Sequence, residues 1–60
     1  MTEIQPQKVY QNSKNELVLV MGKAVYTETS ESVVVFQDLQ IKQIYVMPIA
    51  QFTAKFTIIN

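Results

Sequence analysis

The sequence contains no cysteine, histidine, arginine or tryptophan, and only one of its 60 residues is glycine. Without cysteine there can be no disulfide, and without cysteine or histidine an ordinary zinc site is excluded. The commonest general base and the strongest nucleophile are missing too, which argues against an enzyme. Because Gly22 stands alone, a glycine-rich phosphate loop is also excluded. These absences predict a non-catalytic protein without metal or cofactor.

Neither sign of charge is in excess, because five basic and five acidic side chains give a formal net charge of zero. A nucleic-acid-binding protein usually carries a basic excess that neutralises phosphates, and here the lysines are widely separated. Nucleic-acid binding is therefore disfavoured, and a nucleic-acid-binding small barrel is the weakest of our hypotheses. A chain without net charge also lacks the long-range repulsion that opposes self-association. No apolar run has the length of a membrane span and no signal peptide is recognisable, so we expect a cytoplasmic location.

Apolar residues are abundant, at 48% of the chain against 17% charged residues. A domain of this size buries only about 60% of the surface that its unfolded chain exposes, so its stability depends on additional support. Disulfides and metals are excluded above, which leaves association with another subunit. The composition therefore favours a small domain that forms a homo-oligomer.

The order of apolar runs and polar breaks predicts one small β domain over residues 8–60, preceded by a flexible arm at residues 1–7. We expect strands at 8–11, 17–26, 32–37, 41–47 and 52–58, with a hairpin tip at 27–31 and a bulge or bend at Gly22. A single helical turn is expected at 48–52, following the interruption by Pro48. In the last run, alternation places Phe52, Ala54, Phe56 and Ile58 on one face. The fold class is all-β: a five-stranded antiparallel bent sheet or an SH3-like barrel.

The strand at 17–26 is apolar on both faces, although a small antiparallel sheet usually has one polar face. Leu17, Leu19 and Met21 lie on one side, whereas Val18 and Val20 lie on the other. Two explanations are open: bending at Gly22 turns both sides inward, or the second face is covered by another copy of the chain. We favour self-association as a dimer or larger species. The predicted interface residues are Leu17, Leu19, Met21, Val33 and Val35.

Four short segments between residues 14 and 52 resemble a family of short bacterial and phage domains of unknown function. Residues 20–24, VMGKA, match the family's VLGxA, and residues 34–39, with Val34, Val35, Phe36 and Leu39, match VVYxxL. Residues 26–29, YTET, stand at the family's HSET, and 45–52 stand at WVRPLxMF. The family's histidine, tryptophan and arginine are replaced by Tyr26, Tyr45 and Met47. The resemblance implies a small β fold in a bacterium or a phage-infected bacterium, but no proton-transfer or ion-pairing role at the replaced positions.

Two functions compete. The first is a phage-type counter-defence protein that sequesters a nucleotide-like small-molecule signal between subunits, by analogy with other tiny oligomeric binders. Its predicted ligand-binding residues combine rings that can stack on a base with hydroxyl and carboxylate groups that can hold ribose hydroxyls: Tyr26, Thr27, Glu28, Thr29, Tyr45 and Met47. The alternative is a protein-interaction module or inhibitor that binds a host protein through an exposed strand face or edge.

Overall fold

The computed structural model of the chain describes residues 4–59. Five strands and one helix follow one another as β1 (Val9–Asn12), β2 (Leu17–Tyr26), β3 (Glu31–Asp38), β4 (Ile44–Pro48), α1 (Ile49–Lys55) and β5 (Phe56–Ile58). The strands form one sheet in the order β4-β3-β2-β1-β5, and every neighbouring pair is antiparallel. Within the described residues β4 and β5 do not pair, so they are the two edges. The predicted five-stranded antiparallel sheet is confirmed in its open form rather than as a closed barrel.

The turn between β1 and β2 is held by the side chain of Asn12. Its Oδ1 accepts backbone N–H bonds from Lys14 and Glu16 at 2.9 and 3.0 Å, and its Nδ2 donates to Glu16 Oε1 at 2.7 Å. Asn15 has a φ of 64°, a left-handed conformation that asparagine tolerates better than most residues. Residues 12–16 therefore form the turn that joins the strands predicted at 8–11 and 17–26.

A β-bulge interrupts the pairing of β2 with β3. Val20 pairs with Phe36 and Gly22 pairs with Val35, so Met21 is the additional residue. By alternation Met21 lies on the same side as Leu17 and Leu19, and the bulge places Gly22, opposite Val35, on that side as well. The sequence places the irregularity correctly, next to the only glycine.

The core lies on one side of the sheet, between the strands and α1. Its members are fully or almost fully buried and come from the N-terminal segment, β1, β2, β3 and α1: Ile4, Tyr10, Val18, Val20, Val34, Phe36 and Phe52. Phe52 is fully buried, and its ring centroid lies 5.2 Å from those of Tyr10 and Phe36. The helix thus supplies the central side chain of the core. We call this side of the sheet the inner face.

The predicted boundaries differ from the structure around the helix. The helix runs from Ile49 to Lys55 rather than ending at Phe52, and β5 begins only at Phe56. The predicted strand at 52–58 is therefore wrong for residues 52–55. Ile49, Phe52 and Phe56 are spaced by three and four residues, which is the spacing of one helix face and was the signal to follow. The fourth strand also begins three residues later than predicted, at Ile44.

The predicted flexible arm covers residues 1–7, of which 1–3 lie outside the described residues. Ile4 is buried in the core, and the backbone N–H of Gln5 donates to the Tyr10 hydroxyl at 3.1 Å. The backbone N–H of Gln7 donates to the Val20 carbonyl at 2.7 Å. Residues 4–7 are therefore attached to the sheet rather than forming a separate arm, because Ile4 closes one side of the core.

Candidate functional site

The side of the sheet opposite the core, the outer face, is also apolar. Residues that pair directly across antiparallel strands point to the same side, so the pairs of core residues locate the inner face. The alternate residues point outward: Val9 pairs with Leu19, and Val35 pairs with Val46. We call the apolar residues of this side the outer patch: Val9, Leu17, Leu19, Met21, Val35, Ile44, Val46 and Ile59.

The outer patch crosses all five strands or their ends. The Ile59 N–H bonds the Val9 carbonyl at 3.1 Å, Val9 pairs with Leu19, Leu19 with Gln37, and Gln37 with Ile44. Gln37 is the only polar residue in this row. Met21 is 48% exposed and Val46 is 62% exposed, while Leu19 and Val35 are half-buried. Large apolar side chains therefore face solvent on the side that lacks the helix.

Four of the five predicted interface residues belong to this patch, namely Leu17, Leu19, Met21 and Val35. The fifth, Val33, points to the same side but is only 8% exposed and lies apart from the core cluster. It pairs with Ala24 and Pro48, at the place where β2, β3 and β4 end together. Val33 is thus already covered within one chain and has little surface left for a partner.

The predicted ligand-binding residues do not lie together in one chain. Tyr26 ends β2 opposite Glu31, and Thr27, Glu28 and Thr29 form the exposed hairpin tip beyond it. Tyr45 pairs with Phe36, five residues further along β3, which is about 17 Å in an extended strand. Tyr45 also points to the inner face, where its ring centroid is 5.9 Å from that of Phe36. By alternation, Tyr26 points to the outer face.

Met47 lines a cleft that the sequence analysis did not identify. This cleft has a volume of about 480 Å³ and lies between β4, β5 and the β1–β2 turn. Its walls include Met47 and Phe56, with Lys14 and Lys55 contributing the positive charges and Glu16 a negative one. The cleft exists because the edge strands β4 and β5 do not pair with each other. This is a tertiary feature, so no local sequence pattern predicts it. Its apolar surface and two ammonium groups could accommodate a small organic anion.

The polar side chains of residues 4–59 form neither a buried cluster nor a metal-binding group. No polar or charged side chain is buried there, and Glu28 and Glu31 are both exposed at the hairpin tip. Residues 4–59 contain no group of three or more carboxylates placed to hold a metal ion. Over the same residues, the structure has no helix with the length and apolar character needed to cross a membrane.

Comparison with known proteins found no match among protein-family models, curated proteins or solved structures.

Proposed function

We propose that this protein is a non-catalytic binding module that associates with copies of itself through the outer patch and sequesters a nucleotide-like small molecule where the copies meet. The observation that carries the proposal is the outer patch itself, a second apolar face on a chain whose core occupies the other face. A phage-type counter-defence role in the cytoplasm of an infected bacterium is the biological setting that fits such a protein.

The energetic scale is compatible with a concentration-dependent assembly. Five members of the outer patch, Leu17, Met21, Ile44, Val46 and Ile59, are between 39% and 62% exposed. Full burial of such a side chain contributes about 1.5–3 kcal/mol, so the half that remains exposed contributes roughly 1 kcal/mol each. Two copies together reach on the order of 10 kcal/mol, against an association cost of about 4–15 kcal/mol.

The ligand part of the proposal assigns the predicted binding residues to sites shared between subunits, since these residues lie apart in one chain. Tyr26 and Tyr45 lie on opposite faces and at different levels of one sheet, so a single chain cannot bring both rings to one ligand. Tyrosine rings can stack on a base, and Lys14 and Lys55 of the cleft beside Met47 offer positive charge for phosphate. The ligand class is assigned by analogy with other small oligomeric binding proteins.

Native mass spectrometry of the freshly purified 6.9 kDa chain tests both parts, because it reports subunit number and any co-purified small molecule. We expect a multiple of the single-chain mass, with additional mass that disappears under denaturing conditions. Thermal-shift screening with cyclic dinucleotides, ADP-ribose and related compounds should then identify a stabilising class. A strictly monomeric chain that no nucleotide stabilises would overturn the proposal.

A host-protein interaction is the second candidate, and the edge strand β4 favours it. Ile44, Tyr45 and Val46 are exposed, and β4 carries no charged residue that would discourage another strand from pairing with it. Affinity capture from a bacterial lysate separates the candidates. An inhibitor should retain one host protein in a fixed ratio, whereas a sequestering protein should retain only a small molecule.

A further inference from the structure

Strand β4 has an open edge without the features that usually prevent another strand from pairing with it. Natural edge strands are usually protected by lysine, by bulges or by proline, and the sequence of β4, IYVMP, contains only a terminal proline. The opposite edge, β5, has three residues and follows directly after the helix. Neither edge strand carries a charge, so the difference is length, and β4 offers the longer edge.

The register shows which backbone groups of β4 are free. The Asp38 N–H donates to the Gln43 carbonyl at 2.8 Å, so Gln43 and, by alternation, Tyr45 and Met47 direct their backbone groups toward β3. Ile44 and Val46 then direct their N–H and C=O groups away from the sheet. Pro48 has the same orientation, so its lack of a backbone N–H removes no hydrogen bond between β4 and β3. The Ile44 carbonyl receives one long bond, from Gln43 Nε2 at 3.4 Å.

This pattern is complementary to itself. If two copies of β4 lie antiparallel about a two-fold axis at Tyr45, the Ile44 N–H faces the carbonyl of the partner's Val46. The Val46 N–H faces the carbonyl of the partner's Ile44, and the same two bonds recur by symmetry. All four free donors are then satisfied, and Pro48 lies outside the paired segment. Only the weak Gln43 bond must be exchanged.

We propose that β4 pairs with β4 of a second copy, so that two sheets join edge to edge and double the width of the outer patch. This inference rests on the proposed function, because it describes how the self-association takes place. The two-fold axis of such a pair is perpendicular to the plane of the sheet. Stacking of two outer patches requires a second two-fold axis, which lies parallel to the plane of the sheet. Perpendicular two-fold axes close four chains into one assembly with D2 symmetry.

The available area favours a second copy as the occupant of the edge. At about 25 cal/mol per Å², the burial values above correspond to about 60–120 Å² for each fully exposed aliphatic side chain. The partly exposed outer patch of one chain therefore offers about 200–400 Å² of apolar area. A standard interface needs about 800 Å² per partner, of which roughly 450–500 Å² is apolar. One patch falls short of this requirement, and two patches joined at β4 meet it.

Backbone N-methylation provides a sharp test, because a chain of 60 residues is accessible to chemical synthesis. N-methylation at Val46 removes one edge donor and changes neither the side chain nor the bonds to β3. N-methylation at Ile58 is the matched control: Ile59 bonds to Val9, so the Ile58 N–H points to the open side of β5. Circular dichroism and thermal melting establish that each synthetic chain folds. N-methylation at Ile44 replaces the Val46 variant if that one does not.

Native mass spectrometry and sedimentation velocity then separate the possible results. We expect four chains for the unmodified protein and the Ile58 control, and at most two chains for the Val46 variant, with at least tenfold weaker association. Four chains in the Val46 variant would refute edge pairing and leave the proposed function intact. A protein of two chains that responds to substitution of Met21 but not to N-methylation of Val46 would do the same. An unmodified protein that stays monomeric would refute both proposals.

Discussion

Phe52 and Phe56 stack on each other with ring centroids 4.6 Å apart and an interplanar angle of 11°, although Phe52 belongs to α1 and Phe56 is the first residue of β5. The backbone N–H of Phe56 also donates to the Phe52 carbonyl, which ends the helix. The stack therefore joins the last turn of the helix to the edge strand. The ring centroid of Phe36 lies 5.2 Å from that of Phe52 and 5.6 Å from that of Phe56, so Phe36 links both rings to β3.

Truncation of Phe52 should be the most damaging single change in the core. Phe52→Ala removes a fully buried ring and is expected to cost about 3–5 kcal/mol, most of the stability of a domain this small. Phe52→Leu keeps much of the volume and should cost about half as much, so the chain stays folded and measurable. Urea unfolding followed by circular dichroism gives the difference. Gln51→Ala, at an exposed position of the same helix, should change stability by less than about 0.5 kcal/mol.

The same residues show why the sequence predicts some elements and misses others. The strand at 17–26, its bulge and the hairpin tip were predictable because each depends on local composition: β-branched residues, Gly22 and a polar break. The sequence from Phe52 to Ile58 satisfies an alternating pattern and a helical one at once. Only the aromatic neighbours Tyr10 and Phe36, which are distant in sequence, select the helix for its first part. Tertiary packing thus decides a boundary that local periodicity leaves ambiguous.

The β1–β2 turn should depend on the side chain of Asn12. Its amide makes three hydrogen bonds within the turn, so Asn12→Ala leaves two backbone N–H groups without their acceptor and should cost about 1–2 kcal/mol. Ser13→Ala is the control at the adjacent, exposed position and should be close to neutral. Thermal melting of the three proteins checks this prediction. Equal melting temperatures for Asn12→Ala and wild type would show that the turn does not need this side chain.

Charge on the outer patch should prevent association without harming the fold. Met21→Lys places an ammonium group in the centre of the patch, where burial against another copy would leave it unpaired. We expect association at least tenfold weaker, with stability of the separate chain changed by less than about 0.5 kcal/mol. Val25→Lys is the matched control, because Val25 is on the same strand and 61% exposed but points to the other side. Sedimentation velocity over a concentration series distinguishes the two variants, and an identical response of both would exclude a specific role for the patch.

The functional residues were less predictable than the fold for a geometric reason. Alternation along a strand gives the side to which each residue points, and it correctly placed Leu17, Leu19 and Met21 together. It does not tell how far neighbouring elements extend, so the coverage of Val33 and the cleft beside Met47 emerge only from the folded chain. Tyr26 and Tyr45 are 19 positions apart in the sequence, and their placement on opposite faces depends on the bulge between them and on the pairing of three strands.

A mixing experiment can decide whether Tyr26 and Tyr45 act in one site shared between subunits. Tyr26→Ala and Tyr45→Ala should each abolish binding of the nucleotide that stabilises the wild-type protein, because each removes one of the two stacking rings. If the site takes Tyr26 from one chain and Tyr45 from another, random mixing of the two variants regenerates intact sites in mixed assemblies. About a quarter of the sites should recover when equal amounts are unfolded together, refolded and titrated by calorimetry. A site formed within a single chain cannot be rebuilt in this way, so an absence of recovery would contradict shared binding while leaving the self-association to be judged by its own measurements.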